Sequence, residues 1–214
     1  PADRRYCYPF TNCTNCGPRF TIVRGVPYDR AQTTMSVFPM CPQCRREYEN
    51  PDDRRFHAEP TACPVCGPRV WLEEGGTRLE GPVFETAGEL LRQGKVLAVK
   101  GLGGFHLAVD ARHNAAVELL RARKGRVSKP FAVMVRDLAE AERVCRLGDL
   151  EKALLLSPQR PIVLARKKAA SGLSPSLAPG HLYLGLLLPY TPLHQLLLEQ
   201  SPPALVMTSG NLSE

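Results

Sequence analysis

The chain has 214 residues, 43% hydrophobic and 23% charged, enough for one ordinary domain or a domain plus a small module, and too apolar for bulk disorder. Its longest apolar run, near residues 182–188, is too short to cross a bilayer, and nothing at the start reads as a signal peptide, so no membrane association is expected. Seven of the eight cysteines fall in the first 66 residues, which excludes an evenly stapled disulfide scaffold; the 20 prolines cluster around them and in the last third.

The first part of the chain carries an internal repeat. Asp3-Arg4-Arg5-Tyr6 recurs as Asp53-Arg54-Arg55-Phe56, and Cys13-Thr14-Asn15-Cys16-Gly17-Pro18-Arg19 recurs as Cys63-Pro64-Val65-Cys66-Gly67-Pro68-Arg69, all at an offset of 50 residues. Cys41-Pro42-Gln43-Cys44 precedes Cys63 and Cys66 with 18 residues between the pairs. Two C-x-x-C knuckles at such a distance mark a structural zinc site, because each knuckle turns both thiolates toward one ion and two complete a tetrahedron. Disulfides or redox dithiols are the alternative. Cys13 and Cys16 read as half of a second site, whose other pair the repeat places ahead of Pro1; the chain is therefore expected to be a fragment, with a truncated first module over 1–33 and a second over 34–76. Cys7 aligns with His57, and either can sit near a metal without ligating it.

From Pro82 the pattern becomes that of an α/β domain over 82–214, with residues 75–82 as linker. Phe84, Ala87, Leu90 and Leu91 predict a helix ended by Gly94, and residues 95–100 a strand leading into Gly101-Leu102-Gly103-Gly104. A strand over 107–111, a helix capped by Asn114, a strand over 131–135 and a helix capped by Asp137 follow. Cys145 continues the spacing of Leu138, Ala141 and Val144 and reads as a small buried residue. Residues 161–166 and 204–208 are further strands, and Thr191-Pro192 opens a helix running to Leu198.

The charge follows this division. Residues 1–80 hold 11 arginines, no lysine and 10 acids, net +1, whereas residues 81–214 hold 17 basic and 11 acidic residues, net +6. Residues 119–136 include Arg121, Arg123, Lys124, Arg126, Lys129 and Arg136 and no acid. Such a run suits a polyanion, a nucleotide triphosphate or nucleic acid, or else a solvated helix end. The glycine cluster fits neither the dinucleotide fingerprint nor a P-loop. Thr208-Ser209-Gly210-Asn211 is either a phosphate-binding strand end or an ordinary turn.

These segments together resemble a known family. Asn-Cys-Thr-Asn-Cys-Gly-Pro-Arg-Phe and Phe-Pro-Met-Cys-Pro-Gln-Cys are similar to the zinc fingers of the HypF carbamoyltransferases of [NiFe]-hydrogenase maturation. Lys-Gly-Leu-Gly-Gly-Phe-His, Arg-Lys-Gly-Arg-Val-Ser-Lys-Pro-Phe, Leu-Pro-Tyr-Thr-Pro-Leu-His and Thr-Ser-Gly-Asn are similar to their YrdC-like domain. The resemblance implies a YrdC-like twisted open sheet behind a zinc-ribbon-like region, in a cytoplasmic enzyme. It implies that carbamoyl phosphate and ATP, with Mg²⁺, form carbamoyl adenylate, and that the carbamoyl group passes to the C-terminal cysteine of HypE. A Lys-x-Arg pair and a Ser-x-Asn pair line the nucleotide cavity of such domains and correspond to Lys124 and Arg126, and to Ser209 and Asn211. Lys129, Thr208, Gly103 and Gly104 join them, and His106 either contacts the carbamate or packs. Threonylcarbamoyl-adenylate synthases carry an acid where this chain has Leu102, which favours the carbamoyl chemistry. The acylphosphatase and final-transfer domains of the family are not in these 214 residues. The rival classes are a zinc-ribbon RNA-binding protein and an O-carbamoyltransferase acting on a small-molecule hydroxyl. The finger region, nearly neutral and poor in aromatic clusters, speaks against the first.

Overall fold

The computed structural model describes residues 1–15 and 19–211; Cys16 lies outside the described residues. The chain forms two compact units, Pro1–Trp71 and a second beginning at Leu72.

The first unit has little regular structure. Short 3-10 turns at Phe20–Ile22, Arg30–Gln32 and Thr34–Val37 precede one α-helix, α1 (Pro42–Glu49). Cys41 is the N-cap of α1 and Pro42 occupies its first turn, where a missing N–H costs nothing. The apolar core is small: Tyr8, Met35 and Ala62, with Phe10, Ile22, Phe38 and Cys66 against them. Half-buried Arg30 stitches distant segments by donating to the carbonyls of Glu59 (2.6 Å), Thr61 (2.8 Å) and Phe38 (2.8 Å).

The sequence repeat is also a structural repeat. The N–H of Arg5 donates to Asp3 Oδ1 at 2.7 Å, and that of Arg55 to Asp53 Oδ1 at 2.8 Å. Tyr6 N–H reaches Asp3 O and Phe56 N–H reaches Asp53 O, both at 2.9 Å. The aligned residues Cys7 and His57 both take left-handed backbone, at φ 57° and 47°. Asp-Arg-Arg thus codes one turn used twice.

In the second unit a two-stranded hairpin, β1 (Glu73–Glu74) and β2 (Thr77–Arg78), turns at Gly75 and Gly76, whose φ values of 58° and 84° suit glycine. The segment expected to be linker is therefore partly a hairpin counted with this unit, and the division falls earlier, after Trp71. Then follow α2 (Val83–Arg92), β3 (Leu97–Lys100), β4 (Phe105–Asp110), α3 (Asn114–Arg123), β5 (Val133–Val135), α4 (Leu138–Val144), β6 (Cys145–Arg146), α5 (Asp149–Leu156), β7 (Val163–Lys167), β8 (Tyr183–Leu187), α6 (Pro192–Gln200) and β9 (Ala204–Ser209).

Seven of these strands form a mixed sheet in the order β3-β4-β9-β5-β8-β7-β6, parallel only between β5 and β8. Alternation along β9 feeds two cores. Ala204 and Val206 pack with Val117 and Leu120 of α3 and with Ala141 and Val144 of α4. Leu205 and Met207 pack on the opposite face with Ala87 and Leu91 of α2 and Leu197 and Leu198 of α6. Helices α2 and α6 approach so closely at Gly88 that a Cβ there would stand 2.0 Å from the Gln200 carbonyl oxygen.

Asp137 and Thr191 cap α4 and α6 as expected, their side chains accepting from Glu140 and His194 N–H. The cap of α3 is His113 rather than Asn114: its Nδ1 accepts the Ala116 N–H at 3.3 Å. Strand β4 starts two residues ahead of the expected 107, which takes His106 into the sheet. Cys145 opens β6 instead of extending α4, and is fully buried all the same.

Candidate functional site

The sulfur atoms of Cys41, Cys44, Cys63 and Cys66 all lie within 4.8 Å of one another. Cys41–Cys63 and Cys63–Cys66 are each 3.8 Å apart and Cys66–Cys44 3.6 Å. Four thiolates at about 2.3 Å from one tetrahedral ion stand about 3.8 Å apart, so the spacing of the four cysteines suits zinc. Helix α1 presents Cys41 and Cys44 at its first turn, and the turn after Cys63, closed by Gly67 N–H on Cys63 O at 2.8 Å, presents the other pair. Burial works against the Cys63 thiolate, but the N–H groups of Val65 and Cys66 outweigh it and bring its pKa down to about 6. Burial pushes Cys44 up, although Arg4 donates to its sulfur. Four protein ligands leave no open position, which makes the ion structural.

Cys13 is exposed and outside this cluster. Cys7 and His57 are both exposed, and His57 packs on Phe56 and Tyr48 with ring centroids 4.4 and 5.0 Å away.

In the second unit a cavity of about 600 Å³ is lined by Arg123, Lys124, Arg126, Lys129 and Asn211, among others, with no acid among the described lining residues. The volume is that of a cofactor-sized site. Helix α3 ends into it through a Schellman motif: Arg126 N–H bonds Arg121 O, Gly125 N–H bonds Ala122 O, and Gly125 is left-handed at φ 60°. That termination brings Lys124 to the strand end and leaves Arg126 in the cavity wall. Lys124 Nζ donates to Ser209 O at 2.7 Å and Asn211 O at 3.3 Å, joining the basic loop to the end of β9.

Of the residues expected to line one cavity, Lys124, Arg126, Lys129 and Asn211 do so. Thr208 and Ser209 lie on β9 just behind, Thr208 buried. His106 pairs in register with Ser209 across the sheet. Gly103 and Gly104 are exposed in a turn closed by Gly101 N–H on Gly104 O at 2.7 Å, away from the cavity lining.

Two features escaped the sequence reading. Arg121, outwardly one more cation of the basic run, instead holds the loop: it donates to the carbonyls of Ser176, Leu177, Arg126 and Lys129 at 2.7–3.2 Å. Its guanidinium and that of Arg126 both lie over the Phe131 ring, 4.9 and 5.2 Å from the centroid. Beside Ser209, His106 Nε2 and the Tyr190 hydroxyl are 2.7 Å apart, and the His194 ring lies 4.6 Å from that of Tyr190 and 5.9 Å from that of His106. His194 is fully buried with neither ring nitrogen hydrogen-bonded, and burial, then neighbouring His106, brings its pKa down to about 4. Both imidazoles are held neutral by burial.

Comparison with known proteins agrees with this geometry. The Sua5/YciO/YrdC family profile, described as "Telomere recombination", matches residues 89–214, and the chain belongs to that family. The "HypF finger" profile matches residues 1–23 and 40–73. Over 210 residues the chain is 57% identical to the carbamoyltransferase HypF of Rhodobacter capsulatus, covering 98% of this chain and 28% of that protein. It is 46% identical over 214 residues to a probable carbamoyltransferase HypF of Methanocaldococcus jannaschii, covering 98% of this chain and 28% of that one. A full-length HypF crystal structure in a phosphate- and nucleotide-bound form superposes with a TM-score of 0.92 at 52% identity, over all of this chain and 28% of that one. The P. abyssi Sua5 structure complexed with L-threonine, 18% identical with a TM-score of 0.53 over 60% of this chain and 38% of that one, shares the fold. The chain thus spans little more than a quarter of the HypF proteins it matches. Among the described residues no helix is long and apolar enough to cross a membrane.

Proposed function

We propose that this chain is the carbamoyl-activating part of a HypF-type carbamoyltransferase, in which ATP and a carbamate derived from carbamoyl phosphate give carbamoyl adenylate and pyrophosphate. The observation that carries this reading is the basic cavity of Lys124, Arg126, Lys129 and Asn211, in a chain 57% identical to a named carbamoyltransferase HypF.

A carbamate oxygen attacks the α-phosphorus and pyrophosphate leaves, so the protein's work is positioning and charge neutralisation. Lys124, at the junction of loop and strand, and Arg126, fixed on Phe131, carry positive charge to the β- and γ-phosphates; Lys129 extends it along the loop. The Arg126 fork suits two phosphate oxygens at once, and Lys124 serves as a point charge. Asn211 and Ser209 orient the α-phosphate or the carbamoyl group, and Mg²⁺ shares the phosphate charge when bound. His106, neutral and beside Ser209, contacts the uncharged carbamoyl end. Zinc on Cys41, Cys44, Cys63 and Cys66 is structural, Cys13 and Cys16 serve a second site, and the carbamoyl acceptor is the C-terminal cysteine of HypE.

Exchange of labelled pyrophosphate into ATP tests this in a protein of the relatives' full length. Exchange that requires carbamoyl phosphate and is lost with Lys124→Ala is expected. Exchange indifferent to carbamoyl phosphate would overturn the reading.

A further inference from the structure

The two Asp-Arg-Arg turns do not serve their own repeats. Arg5 is buried, and its side chain crosses to the second repeat, where Nε donates to Ala62 O at 2.7 Å and Nη2 to Cys44 Sγ at 3.3 Å. Arg4 Nη2 donates to the same sulfur at 3.2 Å. Glu47 of α1, one turn after Cys44, receives both guanidinium groups. Arg55, equally buried, points the other way: its Nη1 donates to Asn12 Oδ1 at 3.2 Å. Residue 12 stands to Cys13 as residue 62 stands to Cys63, so each turn reaches the residue next to the other repeat's cysteine.

We infer that the repeats exchange arginines, Arg4 and Arg5 of the first repeat being positioning residues for the metal centre of the second. Four thiolates on a divalent cation leave the centre with two net negative charges. An arginine N–H on a ligand sulfur spreads part of that charge, and hydrogen bonds to the ligands orient them. The paired arginines would repel each other around the sulfur; Glu47 between them offsets that repulsion and holds both forks. Cys44 is thus oriented by residues about 40 positions away, in the turn of another repeat.

The test uses the 214-residue chain loaded with zinc and, separately, with cobalt(II). Arg4→Gln, Arg5→Gln and Arg55→Gln are compared by competition with a chromophoric chelator. Loss of partners beyond the ligands typically lowers metal affinity by about 10–100-fold, the loss expected for Arg5→Gln, with a smaller one for half-buried Arg4→Gln. The thiolate-to-cobalt charge-transfer band of both variants should move, because a sulfur that loses a cationic donor gives up its electrons more readily. Arg55→Gln, as buried as Arg5 and closer in sequence to Cys63, should leave affinity and band in place. If Arg55→Gln weakens the centre as much as Arg5→Gln, the effect is one of general folding and the exchange is wrong. An unmoved cobalt band in Arg4→Gln, the variant least disruptive to packing, would equally overturn it.

Discussion

Lowering the pH from 7 to 4.5 should weaken the second unit, most of all through His194. In the fold this imidazole is fully buried against Tyr190 and His106, and its pKa is about 4. In the unfolded chain it returns to about 6.5, so between these values the unfolded state binds the extra proton and stability falls as pH falls. The effect is absent at pH 7 and saturates below pH 4. At pH 4.5 the two values give a loss of roughly 2 kcal/mol. Urea unfolding followed by circular dichroism reads it, since α2 to α6 belong to the second unit. His194→Phe keeps a ring and removes both unpaired nitrogens, so its stability difference between pH 7 and 4.5 should shrink by roughly 2 kcal/mol relative to the parent. Equal pH dependence in the two proteins would refute the assignment of a neutral, proton-refusing His194.

Nucleotide binding gives a second expectation: Lys124→Ala and Arg126→Ala should each lower ATP affinity about 10–100-fold, one charge-assisted contact apiece, by titration calorimetry. Arg121→Lys cannot reach the same set of carbonyls and should weaken ATP binding while leaving the cavity's charge unchanged, with faster hydrogen exchange in the loop over 125–130 as its signature. Gly88→Ala improves helix propensity yet should cost about 3 kcal/mol in chemical denaturation, because its Cβ meets the Gln200 carbonyl oxygen at 2.0 Å. Chelation of zinc should make the first unit susceptible to limited proteolysis and leave the second resistant, since the first has only a small apolar core.

How much could be read from sequence depended on the range of the interaction. The four-cysteine centre was legible because a C-x-x-C knuckle is a local device and its spacing nearly dictates its geometry. The caps Asp137 and Thr191 were legible for the same reason, while His113 was not, histidine being an uncommon cap. Strand β8 passed as a bare apolar run because both its faces are buried and the period-two alternation is lost. Arg121 and Arg126 look alike in a basic run; only the path of residues 174–177 beside α3 makes one a brace and leaves the other at the cavity. His194 reads as an ordinary helix residue until the chain after β8 brings Tyr190 and α6 over His106. The repeat itself was visible, but not that its arginines cross over, since that is a relation between two turns and not a property of either.

The position of β9 bears on how the second unit comes into being during synthesis. Without it, the strands already made would form two separate ribbons, β3 with β4 and β5 with β8, β7 and β6, with no bond between them. The strand that joins them is the last of the described strands to be translated, and it also ends in Ser209 beside the cavity. Until residues 204–209 have emerged from the ribosome, the chain therefore holds at most two half-sheets with four unpaired edges. Chaperone engagement should peak before that point, and closure of the sheet and completion of the basic cavity become a single event.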